Sequence, residues 1–255
     1  MSEHTEQVNL SIVLPLYNPL PDWSDTIIDS IRAIKERLPQ LVLQLIIVND
    51  GSKSIVLEND VLAIESLVND FQYINYTQNR GKGYALRQGI AVVRHELCIY
   101  TDIDFPYTID SFVALFERLQ TANWDVVVGI RDANYYKQVP AFRKFISKIL
   151  RFFIKLLLRI KITDTQCGIK GFNTKGRSIF LHTNIERYLF DLEFVFLSSN
   201  NKGVKITSIP VALRPEIVFS KINLRTLITE SRSFLKLLFK SFFGRASDNS
   251  TLTSK

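Results

Sequence analysis

An α/β fold, with a mostly parallel sheet flanked by helices, is predicted by three features of the sequence. Short apolar runs alternate with helix-like stretches through the first half of the chain. The runs are apolar in succession, as in strands buried on both faces, and each interval is long enough for the crossover helix that parallel neighbours require. The strand candidates are Leu10 to Leu16 (LSIVLPL), Leu41 to Val48 (LVLQLIIV), Phe71 to Tyr76, Leu97 to Thr101 and Asp125 to Ile130 (DVVVGI). Helices are predicted near 23–37, 55–69, 82–94 and 108–121. After residue 140 the pattern changes. It predicts a basic amphipathic helix over 141–161, a polar glycine-containing turn from Thr163 to Gly171, a helix at about 186–200 and short strands within 204–213. A second basic amphipathic helix follows within 216–245. The tail 246–255, ASDNSTLTSK, lacks apolar periodicity and is expected to be disordered. The expected organisation is one domain over 8–215, then the C-terminal helix and the tail.

The chain has 255 residues, 46% hydrophobic and 22% charged, enough for one large core and unlike a disordered segment. Cys98 and Cys167 lie far apart with no CxxC or Cys/His spacing, which argues against a disulfide framework or a zinc site. MSEHTEQVN lacks the basic and apolar regions of a signal peptide. The longest stretch without charge, Gln7 to Pro21, is fifteen residues with three prolines, short of the roughly 20 apolar residues of a spanning helix.

Charge is unevenly placed. The net is +7, but Lys137 to Lys161 holds eight basic residues and no acids, and Ser220 to Arg245 holds six basic residues and only Glu230. These two segments carry +8 and +5, which leaves −6 for the rest. In the first, Lys144, Lys148, Arg151, Lys155 and Arg159 form one helical stripe among Phe, Ile and Leu. In the second, Arg225, Arg232, Lys236 and Lys240 do the same. A basic face against an apolar, aromatic face suits a helix lying in an anionic membrane interface, where each cation contributes about 1 kcal/mol. Packing on the sheet and a homo-oligomer interface are the competing uses. No nucleic-acid-binding motif accompanies the charge.

Ligands of an open parallel sheet bind beyond the carboxyl ends of its strands. Those ends carry Pro15-Leu16-Tyr17-Asn18, Asn49-Asp50-Gly51-Ser52, Asp102-Ile103-Asp104 and Arg131-Asp132. Each cluster is also good turn chemistry, yet together they sample one crevice. Two carboxylates two residues apart suit Mg²⁺ or Mn²⁺ completed by substrate phosphates. Asn79-Arg80-Gly81-Lys82-Gly83-Tyr84 breaks both common phosphate-loop templates and reads first as a tight start to a helix, with Lys82 in reach of a diphosphate.

In order and spacing, SIVLPLYN, IIVNDGSKS, NRGKGYALRQGI, YTDIDFP, VVVGIR, ITDTQCGIKGF, IERYLFDLEFVF and PEIVFSKI resemble the family 2 glycosyltransferases of GT-A fold. Within that family they resemble the polyprenyl-phosphate sugar synthases, most closely the dolichyl-phosphate β-glucosyltransferases. The resemblance covers roughly residues 10–225. Its later motifs are the more specific to the lipid-phosphate branch. It implies that Pro15, Tyr17 and Asp50 cradle base and ribose, with Asn18 beside them. Asp102 and Asp104 would hold the metal and the donor diphosphate. Arg131 and Arg143 would face phosphates, and Asp164, Gln166 and Asp191 would line the sugar and acceptor side. Lys221 would close over the acceptor. Asn49 and Ile130 depart from the family's DDGS and GSR patterns, and Pro106 replaces a third polar group of some relatives.

The implied reaction is inverting, metal-dependent transfer of a hexose, with UDP-glucose favoured, to a polyprenyl phosphate at the cytoplasmic face of a membrane. The enzyme would be peripheral, and Asp191 would act as a base only if the acceptor were a hydroxyl. Alternatives are a family 2 transferase acting on a saccharide hydroxyl, a nucleotidyltransferase and a non-catalytic membrane scaffold. Against the nucleotidyltransferase, PLYNPLPDW has no glycine or basic residue.

Overall fold

The computed structural model describes residues 7–53, 56–131, 160–162 and 164–215. The expected helix over 141–161 lies almost wholly outside the described residues. The helix within 216–245, the tail, Arg143 and Lys221 lie outside them too.

The strands are β1 (Val8–Leu16), β2 (Leu41–Asp50), β3 (Asp70–Tyr76), β4 (Leu97–Tyr100), β5 (Val126–Arg131), β6 (Lys170–Phe172) and β7 (Ile206–Val211). They form one sheet in the order β3-β2-β1-β4-β6-β5-β7. The helices among the described residues are α1 (Trp23–Arg37), α2 (Glu58–Glu65), α3 (Lys82–Ala91), α4 (Ile109–Gln120), α5 (Thr174–Leu181) and α6 (Phe190–Asn200).

β1 is parallel to β2 on one side and to β4 on the other. Its neighbours satisfy its backbone, and helices cover both faces, so an uninterrupted apolar run is what the position requires. Leu10, Ile12, Leu14 and Leu16 pack with Ile27, Ile31 and Ile34 of α1 and with Phe112, Leu115 and Phe116 of α4. Val13 turns to the opposite layer, with Val48, Leu86 and Ile90 and the rings of Tyr100, Phe172, Phe180, Phe190 and Phe194. Fully burying one such aliphatic side chain contributes about 1.5–3 kcal/mol. α4 begins at Thr108, whose hydroxyl accepts the Ser111 N–H at 3.3 Å. The parallel strands β1, β2 and β4, with β5 running the same way, aim their carboxyl ends at one edge.

Several elements differ from the expectation. The segment read as a turn ends in β6, which is antiparallel to both β4 and β5 and separates them. Lys-Gly-Phe has no apolar run to announce a strand; pairing on both edges makes it one. α5 was also unforeseen. It starts at Asn173, whose side-chain oxygen accepts the N–H groups of Lys175 (3.0 Å) and Gly176 (3.3 Å). The helix expected from 186 begins at Phe190, because Glu193 Oε2 accepts the Asn184 and Ile185 N–H groups, both at 2.8 Å, and holds that stretch as a loop. α2 is shorter than expected, and the 204–213 segment is β7 plus an isolated bridge between Leu213 and Tyr107.

Candidate active site

The strand ends open into a cleft of about 1000 Å³. Its walls carry Pro15, Tyr17 and Asn18 after β1, Asp50 at the end of β2, Lys82 at the start of α3, Asp102 and Asp104 after β4, Arg131 of β5, and Gln166. A second hollow of about 590 Å³ beside β3 has Glu58 as its one charged lining residue among those described, which disfavours phosphate there.

The loops after β1 and β2 are joined. Asn18 N–H donates to Ser52 Oγ at 2.9 Å, and Asn18 Oδ1 accepts the Lys53 N–H at 2.7 Å. Asn18 takes a positive φ of 45°, a conformation asparagine tolerates better than most residues. Tyr17 is left half exposed at the rim.

Asp50 is buried, and its carboxylate is fully used. Oδ1 accepts the Tyr76 hydroxyl and the Arg80 N–H, and Oδ2 accepts Asn79 Nδ2 and the Gly81 N–H, all at 2.8 Å. Its visible work is to fix the 76–81 loop and hence Lys82. Burial, then the hydrogen bond and charge of Asp50, push the Tyr76 hydroxyl well above the ordinary tyrosine range. Gly81 has φ +107°, and a Cβ there would meet the Glu186 carbonyl at 2.6 Å, so the turn needs glycine.

Lys82 Nζ forms an ion pair with Asp102 Oδ1. Burial acts to lower the pKa of this ammonium, but Asp102, Asp191 and Asp104 together outweigh it and hold the value above that of ordinary lysine. Phe105 N–H donates to the Asp102 carbonyl at 3.0 Å, closing the turn that brings both carboxylates to the cleft. Desolvation and then the charge of Asp102 raise the pKa of Asp104, against smaller lowering effects that include Lys82 and Arg214. Gly168 lies against this pair: a Cβ would overlap Asp102 Oδ2 and stand 3.2 Å from Asp102 Cγ. Among the described residues no three His, Cys, Asp or Glu side chains gather as a metal cage. Two hard carboxylates, one with a raised pKa that a cation would relieve, fit Mg²⁺ or Mn²⁺ that takes its remaining ligands from phosphate and water.

Asp164 and Asp191 do not line the cleft. Asp164 instead grips Arg131: Nε lies 3.1 and 3.0 Å from its two oxygens, Nη2 pairs with Oδ1, and Oδ2 accepts the Arg131 N–H at 2.7 Å. Asp164 thereby orients Arg131, which does line the cleft. Asp191 is buried, and its Oδ1 accepts both Lys170 Nζ and the Tyr100 hydroxyl at 2.5 Å. Lys170, fully buried, also donates to the Cys167 carbonyl at 2.7 Å. Asp191 therefore neutralises a buried lysine that holds the peptide before Gly168, behind the cleft lining.

Tyr107, Gly168, Arg187, Tyr188 and Arg214 also line the cleft, beyond the residues the sequence singles out. Tyr107 OH accepts the Gly168 N–H at 2.9 Å, and Arg214 reaches Ser30 Oγ at 2.7 Å. The ERYLFDLE and DTQCG motifs were the available signals for Arg187, Tyr188 and Gly168; nothing local marked Tyr107 or Arg214.

Residues 11–178 match the family described as Glycosyl transferase family 2. The chain belongs to that family. This glycosyltransferase is 31% identical over 238 residues to the dolichyl-phosphate β-glucosyltransferase of Trichomonas vaginalis, covering 90% of this chain and 73% of that protein. It is 28% identical to the Saccharomyces cerevisiae enzyme of the same name, covering 83% of this chain and 69% of that one. Of the Dictyostelium discoideum relative, at 29% identity, it spans 63% and is itself covered over 76%. Among solved structures, glucosyl-3-phosphoglycerate synthase from Mycobacterium tuberculosis, crystallised with Mn²⁺, UDP and phosphoglyceric acid, superposes with a TM-score of 0.64 at 17% identity. That likeness covers 91% of this chain and 78% of the other. Mannosyl-3-phosphoglycerate synthase from Rubrobacter xylanophilus gives 0.61 at 18% identity, over 96% and 76%. These likenesses establish a GT-A-like glycosyltransferase fold.

Proposed function

We propose that this glycosyltransferase moves glucose from UDP-glucose to a polyprenyl phosphate, with inversion at the anomeric carbon and with Mg²⁺ or Mn²⁺ at Asp102 and Asp104. The observation that carries the proposal is the convergence of this carboxylate pair with Lys82 and Arg131 on one cleft. The relatives named dolichyl-phosphate β-glucosyltransferase support the donor sugar and the acceptor.

A bound divalent cation would supply charge stabilisation for the departing diphosphate. Lys82, held by the Asp50-clamped loop, faces the same group. The acceptor oxygen attacks the anomeric carbon, a carbon–oxygen bond to the phosphate forms, and the bond to the diphosphate breaks with UDP taking the electron pair. A phosphate monoester has its second pKa at about 6, so this nucleophile is already anionic at neutral pH. It needs cations and orientation more than a base. Arg131, aligned by Asp164, suits that need. The burial of Asp191 in an ion pair agrees with an acceptor that loses no proton and disfavours the saccharide-hydroxyl alternative.

Among the described residues no helix is long and apolar enough to cross a membrane. The basic amphipathic segments over 141–161 and 216–245 are proposed to hold the cleft at the cytoplasmic membrane face. The full chain, radiolabelled UDP-glucose or GDP-mannose, dolichyl phosphate and Mn²⁺ form the direct test. Acid-labile glucosyl lipid made from UDP-glucose is expected; transfer only to a saccharide hydroxyl would overturn the proposal.

A further inference from the structure

Four cations line the cleft among the described residues: Lys82, Arg131, Arg187 and Arg214. Three of them are committed. Lys82 pairs with Asp102, Arg131 with Asp164, and Arg214 donates to Ser30 Oγ at 2.7 Å and to the Tyr107 carbonyl at 3.3 Å. The Arg187 side chain is exposed, and its guanidinium has no hydrogen bond or ion pair with any described residue.

Its backbone, by contrast, is fixed. The Glu186 carbonyl accepts the Tyr84 N–H at 3.1 Å, the Arg187 carbonyl accepts the Phe190 N–H at 3.3 Å, and the Glu186 carboxylate pairs with Arg80 at 2.6 Å. The stem of Arg187 passes over the start of α3: a Cβ on Gly81 would stand 2.9 Å from Arg187 Cγ. The side chain thus leaves a pinned loop beside Lys82 and enters the cleft with its donors unspent. A guanidinium offers a planar fork that matches two phosphate oxygens.

The geometry points to Arg187 as a phosphoryl-binding residue of the cleft. The role deepens the transferase proposal above and rests on it for the identity of the phosphate, which is either the donor diphosphate or the acceptor monophosphate. Arg187 adds to the cationic lining from the loop between α5 and α6, beside the start of α3, and Arg131 adds to it from the end of β5. Beside it, Tyr188 is 56% exposed and lines the same wall, where its ring can cover sugar or prenyl carbon.

The test is direct binding to the full chain and its Arg187→Met and Arg187→Lys variants, with a melting temperature for each. One arm titrates UDP with Mn²⁺; the other titrates farnesyl phosphate in detergent. Arg187→Met should lose about 10- to 100-fold in affinity for one of the two ligands, the scale of a charge-assisted hydrogen bond, with wild-type melting. Arg187→Lys should recover part of the loss. The arm that weakens identifies the phosphate. Unchanged affinity in both arms, or loss only together with lowered melting, would overturn the assignment. Wild-type protein that binds both ligands but transfers no glucose would sink the transferase proposal and leave Arg187 judged by the binding data. Glucose transfer by wild type with both affinities intact in Arg187→Met would sink the Arg187 assignment alone.

Discussion

Replacing Gly168 with alanine adds one methyl group at the point where the chain touches Asp102. The new Cβ would overlap Asp102 Oδ2, with Asp102 Cγ at 3.2 Å and the Tyr107 hydroxyl at 3.7 Å. Favourable heavy-atom contacts begin at about 3.5 Å, so the carboxylate has to retreat by about 1 Å. Gly168 is not among the glycines with positive φ, and alanine can take its backbone conformation without strain. The loss should therefore fall on function more than on stability. A displacement of that size in a positioned group costs on the order of 10²-fold. We expect kcat/KM for glucose transfer to drop about 100-fold, apparent Mn²⁺ affinity to weaken, and melting to stay within a few degrees of wild type. The assay is initial-rate transfer from UDP-glucose over a Mn²⁺ series, paired with thermal melting. If Gly168→Ala transfers glucose within about threefold of wild type at low Mn²⁺, Asp102 is not held in place as described.

Other consequences follow from the buried charges and from Asp104. Lys170→Met leaves Asp191 buried without its cation, which should cost about 3–5 kcal/mol and lower melting by roughly 6–20 °C for a domain of this size. Lys170→Met with Asp191→Leu should recover part of that loss in a double-mutant cycle; additive losses would contradict the pairing. Asp50→Ala strands four donors and should destabilise the chain by about 3 kcal/mol or more in denaturant unfolding, while weakening UDP binding through the freed Lys82 loop. Because the pKa of Asp104 is raised, lowering the pH should protonate it before an ordinary carboxylate of pKa about 4. Transfer should then fall on the acid side as pH drops through that raised value, and added Mn²⁺ should push the limb to lower pH. A limb that ignores Mn²⁺ would tell against metal binding at Asp104.

The elements legible in the sequence were those whose local pattern already states their burial. β1 and β2 are continuous apolar runs because both faces are covered, and α1 carries Ile27, Ile31 and Ile34 on one stripe because one face is. β6 was illegible because its stability is tertiary: Lys170 is buried only because Asp191 and Tyr100, distant in sequence, meet it there. α5 left a fainter trace in Asn173 as a cap, easily lost in an eight-residue helix. At the candidate site, the strand-end residues Tyr17, Asp102, Asp104 and Arg131 were readable from the rule that parallel sheets gather ligands at their carboxyl edge. The partners of Asp50, Asp164 and Asp191 were not: a carboxylate left free for a ligand and one that holds the protein's own donors look alike until those donors are located in space. Arg187 shows the converse, since its significance lies in the partner it lacks among the described residues.

Asp102 and Asp104 are proposed to form the metal-dependent heart of a transferase acting on a lipid phosphate. The most direct measurement is the rate of glucose transfer from UDP-glucose to dolichyl phosphate against Mn²⁺ concentration, for wild type and Asp104→Ala. Wild type should rise saturably with Mn²⁺ and fall to background with chelator, and Asp104→Ala should be slower by about 100-fold or more at every Mn²⁺ concentration. Transfer by Asp104→Ala at close to the wild-type rate, undisturbed by chelator, would contradict the claim.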